Sequence, residues 1–238
     1  VPVTGIVFML QVTRRHRWRA LLPAVVSGFT GKLVVDALGY EMANRPSMPA
    51  PSWTIGLPFK LLLAGVAFGL VARLFVWLLH MIRARVAHTA KWPPARPLIG
   101  AAATLGLMAL VGRDYLGLSS PLLASAFTGA HVDWWVPFLK LLFTAIALGS
   151  GFVGGEVLPL FVMGGTLGAA IAPGLHAPAP LLATTGSAAA FSAAAGVMLT
   201  GVVLTVEQFG WNTLLPALIV GATARLAAGR PGLYVTHH

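Results

Sequence analysis

GSGFVGGEVLPLF, residues 149–161, is the stretch of the sequence that decides the fold. It stands between two apolar segments, LKLLFTAIAL before it and VMGGTLGAAIA after it, so a glycine-rich loop and a lone carboxylate are expected at membrane depth. Irregular backbone is costly there, because no water satisfies its N–H and C=O groups unless protein or an aqueous cavity does. The stretch is therefore the first candidate for a functional site.

Glycines and a proline give this stretch a specific predicted geometry. Four glycines let the backbone adopt conformations closed to other residues and approach a ligand closely: Gly149, Gly151, Gly154 and Gly155. Pro159 suits the first turn of a helix, where its missing N–H would have no partner in any case. A helix that starts here leaves N–H groups pointing into the loop, with the positive end of the helix dipole behind them, and small anions bind such places. The alternative is a glycine-rich turn that only joins two packed helices.

The composition indicates a membrane protein independently of that loop. Hydrophobic residues make up 57% of the 238 residues, charged residues only 9%, and the mean hydropathy is +0.83. A chain of this length holds about six to nine full or partial spans, at about 20 residues per full crossing. The absence of cysteine excludes disulfides, thiolate metal sites and cysteine nucleophiles. No zinc motif or G-x-S-x-G motif is present, so we expect neither an enzyme nor a metal or other cofactor.

The basic residues are typical of membrane topology signals rather than of a nucleic-acid interface. The net charge is +10, but the basic residues cluster beside apolar segments, at 14–19 and 83–96, and form no long polar face. The positive-inside rule places both clusters in the cytoplasm. We therefore expect the lipid bilayer, and no nucleic acid, as a partner.

The order of apolar segments and breaks predicts an all-α, multi-pass helical membrane domain. We expect 57–82 to form one long tilted helix, and 159–172 to form a short helix that Pro173 stops. The segment 41–56 is polar and proline-rich, which predicts a surface linker between the two parts of the chain. The predicted apolar segments are 1–12, which is too short to cross, 20–39, 57–82, 98–112, 115–130, 134–148, 159–172, 181–206 and 213–228.

Two parts of the chain repeat one another. TGIV at 4–7, followed by Gln11, matches TGVV at 200–203, followed at the same spacing by Glu207. LLPAVVSGFTGKL (21–33) then matches LLPALIVGATARL (214–226). Repeats of this kind build many transporters, with the substrate site between the two halves. The second copy follows about 140 residues of its own repeat and the first copy follows only three, so we expect an N-terminal portion of similar size to be missing.

The loop and the repeat together resemble the CLC family of chloride channels and proton-coupled anion antiporters. In that family a loop of the type G-G-x-F-x-P opens a half-helix whose backbone amides hold the central anion. The pattern is occupied here by Gly154, Gly155, Glu156, Val157, Leu158 and Pro159. The resemblance implies that the amides of Glu156 and Val157 face the anion. It also implies an anion-coordinating tyrosine in the final helix, which would be Tyr234, although an interfacial anchor is the alternative for that residue.

The resemblance covers the whole chain and implies its domain organisation. Residues 1–40 resemble the end of the first repeat, 57–228 the second repeat with its inverted topology and broken half-helices, and 229–238 the C-terminal tail. The family's gating glutamate and first anion loop would lie outside this sequence. The pattern G-G-E-V-x-P-L-F is similar to the fluoride/proton antiporter branch, whose members often carry a hydroxyl residue where Leu158 stands.

The resemblance implies a function in halide transport. The expected activity of the complete protein is chloride or fluoride transport, coupled to protons in an antiporter, across the inner or plasma membrane of the cell. A homodimer packed through 21–33 and 214–226 is implied as well. The alternative is a truncated membrane assembly or remnant that does not transport.

Two carboxylates have alternative roles that the sequence leaves open. Glu156 is a functional candidate because it lies within the membrane, but its side chain could instead cap amides or pair with a basic residue. For Glu207 we favour a cap or a hydrogen bond to a neighbouring helix over proton transfer, because Gln11 stands at the equivalent place and cannot titrate.

Overall fold

A computed structural model of the chain describes residues 2–13, 17–39, 48, 50–229 and 233. Within these ranges the chain is helical and contains no strand, which agrees with the predicted all-α class. A single 3-10 turn, Trp211–Thr213, precedes the last helix. The helices are α1 (Pro2–Val12), α2 (Arg17–Ala37), α3 (Leu57–Thr89), α4 (Ala95–Val111), α5 (Ser120–Thr128), α6 (Val136–Gly149), α7 (Val157–Leu175), α8 (Ala179–Ala195), α9 (Met198–Phe209) and α10 (Leu214–Ala228).

Helix lengths confirm a multi-pass membrane architecture with partial spans. In the described part of the chain, three helices are long and apolar enough to cross a membrane, at Trp18–Ala37, Leu57–Thr89 and Val157–Leu175. α1, α4, α6 and α9 are apolar but shorter than a full crossing. The predicted break in 149–158 is confirmed, because α6 ends at Gly149 and α7 begins at Val157.

Some predicted boundaries are wrong. The segment 181–206 is two helices rather than one, because the chain turns at Gly196, whose φ of +75° ends α8. α7 does not stop at Pro173 but includes it in its last turn, and a left-handed His176 (φ +48°) ends the helix. α5 covers less than the predicted 115–130. Of the predicted linker, 41–47 and 49 lie outside the described residues, so that boundary stays a prediction.

The core is built by close helix packing around α7 and α8. A Cβ on Gly164 would overlap the carbonyl of Gly186, and a Cβ on Gly168 would overlap that of Leu182, so the two backbones approach as closely as glycine permits. α3 packs against α8 and α10 in a similar way, with Gly65 facing Thr223. α7 is therefore held on one face by direct backbone contact.

The repeated segments form an antiparallel pair in which each helix binds the start of the other. The carboxylate of Glu207, near the end of α9, accepts hydrogen bonds from Thr4 N–H (2.8 Å) and Thr4 Oγ1 (2.7 Å) at the start of α1. Gln11 Oε1, near the end of α1, accepts from Thr200 N–H (2.7 Å) and Thr200 Oγ1 (2.6 Å) at the start of α9. The capping role favoured for Glu207 is confirmed, and the two contacts are related by the approximate two-fold symmetry of the repeat.

Candidate functional site

The loop that joins α6 to α7 begins as an extension of α6. The N–H groups of residues 150–152 still donate to carbonyl oxygens in the last two turns of that helix, at 3.0–3.2 Å. Gly151 then takes a φ of +103°, a conformation that side chains with a Cβ rarely adopt. This residue directs the chain away from the axis of α6. The side chain of Val153, just beyond, is fully exposed.

The next six N–H groups have no acceptor. In the part of the chain that the structure describes, no carbonyl or side-chain oxygen accepts a hydrogen bond from the N–H groups of residues 153–158. The first bond into α7 is donated by Leu160 N–H to the carbonyl of Glu156, at 3.2 Å, and Pro159 has no N–H to satisfy. The positive end of a 19-residue helix therefore faces the loop with free donors in front of it.

Gly154 and Gly155 provide space rather than unusual backbone angles. Neither has a positive φ, so the strained glycine of the loop is Gly151. A Cβ on Gly155 would meet no atom within 4 Å, and one on Gly154 would be 3.4 Å from Leu148. A side chain at Gly155 therefore fits without straining the backbone or displacing a neighbour.

Glu156 stands at the position that precedes α7, with its side chain half-buried. Its carboxylate makes no capping hydrogen bond to α7 and has no ion-pair partner among the described residues. Neither of the structural alternatives for Glu156, a cap or an ion pair, is present in this part of the chain. The next side chains, Val157 and Leu158, pack against the hydrophobic core and fix the start of the helix.

Two neighbouring helices hold the start of the loop, a feature that sequence reasoning missed. A Cβ on Gly149 would be 2.7 Å from Cγ2 of Ile82 in α3. A Cβ on Gly100 of α4 would overlap the side chain of Ser150, which is 1% exposed. Nothing in the sequence distinguishes Gly100 from Gly106 of the same helix, whose Cβ would meet no atom within 4 Å. The loop is thus clamped where it begins and open at 153–156.

Full positive charges are remote from the loop in sequence, and the nearest one is occupied elsewhere. No Lys or Arg lies between Lys140 and Arg225. Lys140 is buried in α6, where its ammonium donates to the carbonyls of Tyr115 (3.1 Å) and Gly117 (2.6 Å) and to Ser119 Oγ (2.9 Å). The positive potential that α7 contributes at the loop therefore comes from backbone dipoles. Among the described residues no three His, Asp or Glu side chains cluster as metal ligands.

Comparison with known proteins identifies the family. The family model described as voltage gated chloride channel matches residues 1–229. The chain belongs to this family. A crystal structure of a CLC-type fluoride/proton antiporter superposes with a TM-score of 0.87 at 32% sequence identity, over 94% of this chain and 58% of that chain. A slow cyanobacterial Cl⁻/H⁺ antiporter, at 18% identity, shares the fold with a TM-score of 0.72, over 95% of this chain and 57% of that chain.

Curated relatives of this family member carry names of halide transport. The chloride/fluoride channel protein of Pseudomonas syringae pv. tomato is 34% identical over 98% of this chain and 53% of its own length. The H(+)/Cl(-) exchange transporter ClcA of Cronobacter sakazakii is 28% identical over 99% of this chain and 55% of its own length. The chain spans about half the length of the curated relatives that it matches.

Tyr234 is the last of the predicted site residues. Tyr234 lies outside the described residues, so its proximity to the loop stays a prediction. Its neighbour Leu233 is described and packs against the hydrophobic core. Gly154, Gly155, Glu156, Val157 and Leu158 are contiguous in the loop and the first turn of α7, as their spacing in the sequence requires.

Proposed function

We propose that this chain forms part of a halide transport pathway, with a dehydrated chloride or fluoride ion bound at the start of α7. The observation that carries the proposal is the run of six N–H groups, residues 153–158, with no acceptor within the described structure. Residues 153–155 are exposed and residues 156–158 are half-buried, so these donors are open to a ligand or to water. An anion suits it, because the dipole of α7 adds positive potential at the same point.

The ion in this proposal is held by backbone and not by a cation. The N–H groups of Glu156 and Val157 face it, the N–H of Leu158 lies next to them, and Gly154 and Gly155 leave room for close approach. Tyr234 would contribute its hydroxyl as a further donor. Conduction needs binding that is strong enough for entry and weak enough for release, which partial charges provide better than a bare Lys or Arg.

Protons are the proposed second substrate. Glu156 adjoins the free N–H groups, and its carboxylate is not committed to any partner in the described structure. A carboxylate in that state is able to take up and release a proton beside a passing anion. In this proposal Glu156 carries the protons that are exchanged for the halide. The names of the relatives, which include two antiporters and an exchange transporter, support this reading.

The assembly proposed for the complete protein is a homodimer in the inner or plasma membrane. α2 has no fully buried residue in the described structure, and its apolar side chains Leu22, Phe29 and Leu33 are 46–72% exposed. Leu215 and Leu226 of the matching helix α10 are exposed as well. A second copy that packs through these helices would cover them, as the repeated small and aliphatic residues suggest.

Flux measurements on the complete polypeptide in liposomes test the proposal. Gly155→Val should fold and express, because its Cβ has room, but it should abolish halide flux by filling the approach to the N–H groups. Gly174→Ala, at an open position near the other end of α7, is the matched control and should transport normally. Unchanged flux in Gly155→Val would refute the assigned anion site.

Proton flux tests the second substrate separately. Glu156→Gln keeps the size and backbone of the site, so halide binding should persist while proton movement is uncoupled or lost. Unchanged coupling in this variant would reduce Glu156 to a structural residue. Absence of halide flux in the unmodified, folded polypeptide would favour the alternative of a non-transporting membrane assembly.

A further inference from the structure

The end of α3 and the turn that follows carry a cluster of five basic residues. We name this cluster the α3 basic end and define it as Arg83, Arg85, His88, Lys91 and Arg96. The first four side chains are exposed, and Arg96 is half-buried. Arg96 Nε donates to the carbonyl of Ala90 at 3.1 Å, which closes the turn and keeps α4 next to the end of α3.

The α3 basic end differs from the other described cations of the chain in the number of basic residues gathered within a short stretch. Lys32 pairs with Asp36, Lys60 donates to the carbonyl of His176, and Arg225 donates to that of Gly229, whereas Arg19, Arg73 and Arg113 are far apart from one another in sequence. Within the described structure, no carboxylate lies within ion-pair distance of any residue of the α3 basic end. Several positive charges gathered without a counter-charge repel one another, and an external anion would relieve that repulsion.

The position of the cluster along α3 identifies the source of that anion. α3 has 33 residues and a length of about 50 Å at 1.5 Å per residue, whereas the hydrocarbon core of a bilayer is about 30 Å thick. The apolar part of α3 ends at Ile82, one residue before the cluster begins. The cluster therefore lies where the helix emerges from the hydrocarbon, at the level of lipid headgroups.

Exposed apolar side chains lie on α3, in the turn that follows it and on α4. Trp92, in the turn, is 67% exposed, as is Leu98 in the first turn of α4, and Trp77 is 58% exposed on α3. A tryptophan beside cations is typical of the membrane interface, where its ring lies among headgroups. The cations and these apolar surfaces together match a molecule with an anionic head and an acyl chain. A soluble polyanion such as a nucleic acid would match the cations alone.

We propose that the α3 basic end is a binding site for the phosphate-bearing headgroups of acidic phospholipids. The guanidinium groups of Arg83 and Arg85 and the ammonium of Lys91 contact lipid phosphates, Trp92 lies among the headgroups, and Leu98 contacts the acyl chains. A zwitterionic lipid carries its own cation next to the phosphate and gains less from the cluster. Enrichment of acidic over zwitterionic lipid should be roughly fivefold for each cation engaged.

Energy transfer from single labels to lipids tests this site in the complete polypeptide. The 238-residue sequence has no cysteine, so Thr89→Cys places one donor dye at the α3 basic end, and Ile55→Cys places one just before the other end of α3. Any cysteine in the remaining sequence is replaced first. The acceptors are phosphatidylglycerol and phosphatidylcholine labelled on identical acyl chains, each added as a trace to mixed bilayers. We expect stronger transfer to phosphatidylglycerol from the label at 89, and equal transfer to the two lipids from the label at 55.

Charge variants separate a binding site from a general attraction. Arg83→Gln/Arg85→Gln/Lys91→Gln should abolish the preference at 89, whereas Arg19→Gln/Lys60→Gln/Arg113→Gln, which removes the same charge elsewhere, should keep it. Arg83→Lys/Arg85→Lys conserves charge and should also keep it. Equal transfer to both lipids in the unmodified polypeptide, or a preference that survives the first triple substitution, would overturn the proposal.

A soluble competitor distinguishes a lipid from free phosphate. Millimolar inorganic phosphate should leave the preference for phosphatidylglycerol nearly unchanged, because the acyl chains hold the lipid at the site. Complete displacement by inorganic phosphate would overturn the lipid assignment and indicate a site for soluble phosphate.

Discussion

α1 and α9 differ from α7 in how their first N–H groups are bound. The first turns of α1 and α9 each donate a hydrogen bond to a side chain of the other helix, since Glu207 accepts from Thr4 and Gln11 accepts from Thr200. α7 begins with no capping side chain and leaves the N–H groups of 153–158 free within the described structure. Within the described structure, the protein therefore supplies side-chain acceptors for first-turn N–H groups of α1 and α9 and supplies no acceptor for those of α7.

The comparison shows how a start without a cap remains in place. α1 and α9 are fixed at their ends by polar contacts, and α9 also rests on α8 at Gly201. α7 has no such polar contact at its start and is fixed along its side, where Gly164 and Gly168 rest on the backbone of α8. Lateral packing replaces the cap and leaves the start of α7 available for a ligand. Variants of the lateral packing and of the caps should therefore lower stability, whereas a variant at the start of the loop should mainly lower halide flux.

The largest effect is expected where the lateral packing of α7 is broken. Gly164→Ala puts a methyl group into the carbonyl of Gly186, and overpacking of this kind costs about 3 kcal/mol. Gly174→Ala, in the same helix but with open space around it, should change stability by less than about 0.5 kcal/mol. Thermal unfolding in detergent measures both, and equal melting temperatures would show that α7 is not held by this contact.

Removal of a cap should have the next largest effect. Glu207→Leu leaves the N–H and hydroxyl of Thr4 without their acceptor, which costs about 2 kcal/mol. Gln11→Leu makes the equivalent change at Thr200 and should cost about as much. Melting temperatures of the two variants, measured in the same detergent, check this equivalence. A loss confined to one of them would contradict the symmetry of the two contacts.

The clamp at the start of the loop should affect transport more than stability. Gly100→Ala pushes Ser150, and with it the loop, away from α4, because the new Cβ would lie 1.8 Å from Oγ and 2.5 Å from Cβ of Ser150, at a cost of about 1.5 kcal/mol. Halide flux should fall at least severalfold, while Gly106→Ala on the same helix should transport normally. Flux that is equal in the two variants would show that the position of Ser150 does not set the geometry of the free N–H groups.

The smallest effect is expected for a swap of one cap for the other. Glu207→Gln puts into α9 the amide that already performs the same task in α1, so stability should change by less than about 0.5 kcal/mol. Proton coupling should not change, since the role of Glu207 in the structure is that of an acceptor. Loss of coupling in this variant, with halide flux intact, would show that Glu207 carries protons. It would contradict the assignment of a structural role to Glu207 and of proton transfer to Glu156.

The sequence determined the membrane class, most of the helices and the place of the break. Glycines and a proline encode the break locally. Glycine readily adopts the positive φ found at residue 151, and Pro159 is favourable in the first turn of a helix. The repeat also predicted that Gln11 and Glu207 are equivalent. The turn at Gly196 was missed, because an apolar run is continuous in sequence whether one helix or two halves cross the same layer.

Only the tertiary structure decided which residues meet. Gly100 and Gly106 are alike in sequence, but one rests on Ser150 and the other faces open space. The two copies of the repeat are also alike, yet α2 has no fully buried residue among those whose burial the structure describes, while α10 packs against α3 and α8. The physical reason is that lipid and protein core are equally apolar. Hydrophobicity therefore fixes which segments enter the membrane, and the fit of small residues between helices fixes where each segment lies within it.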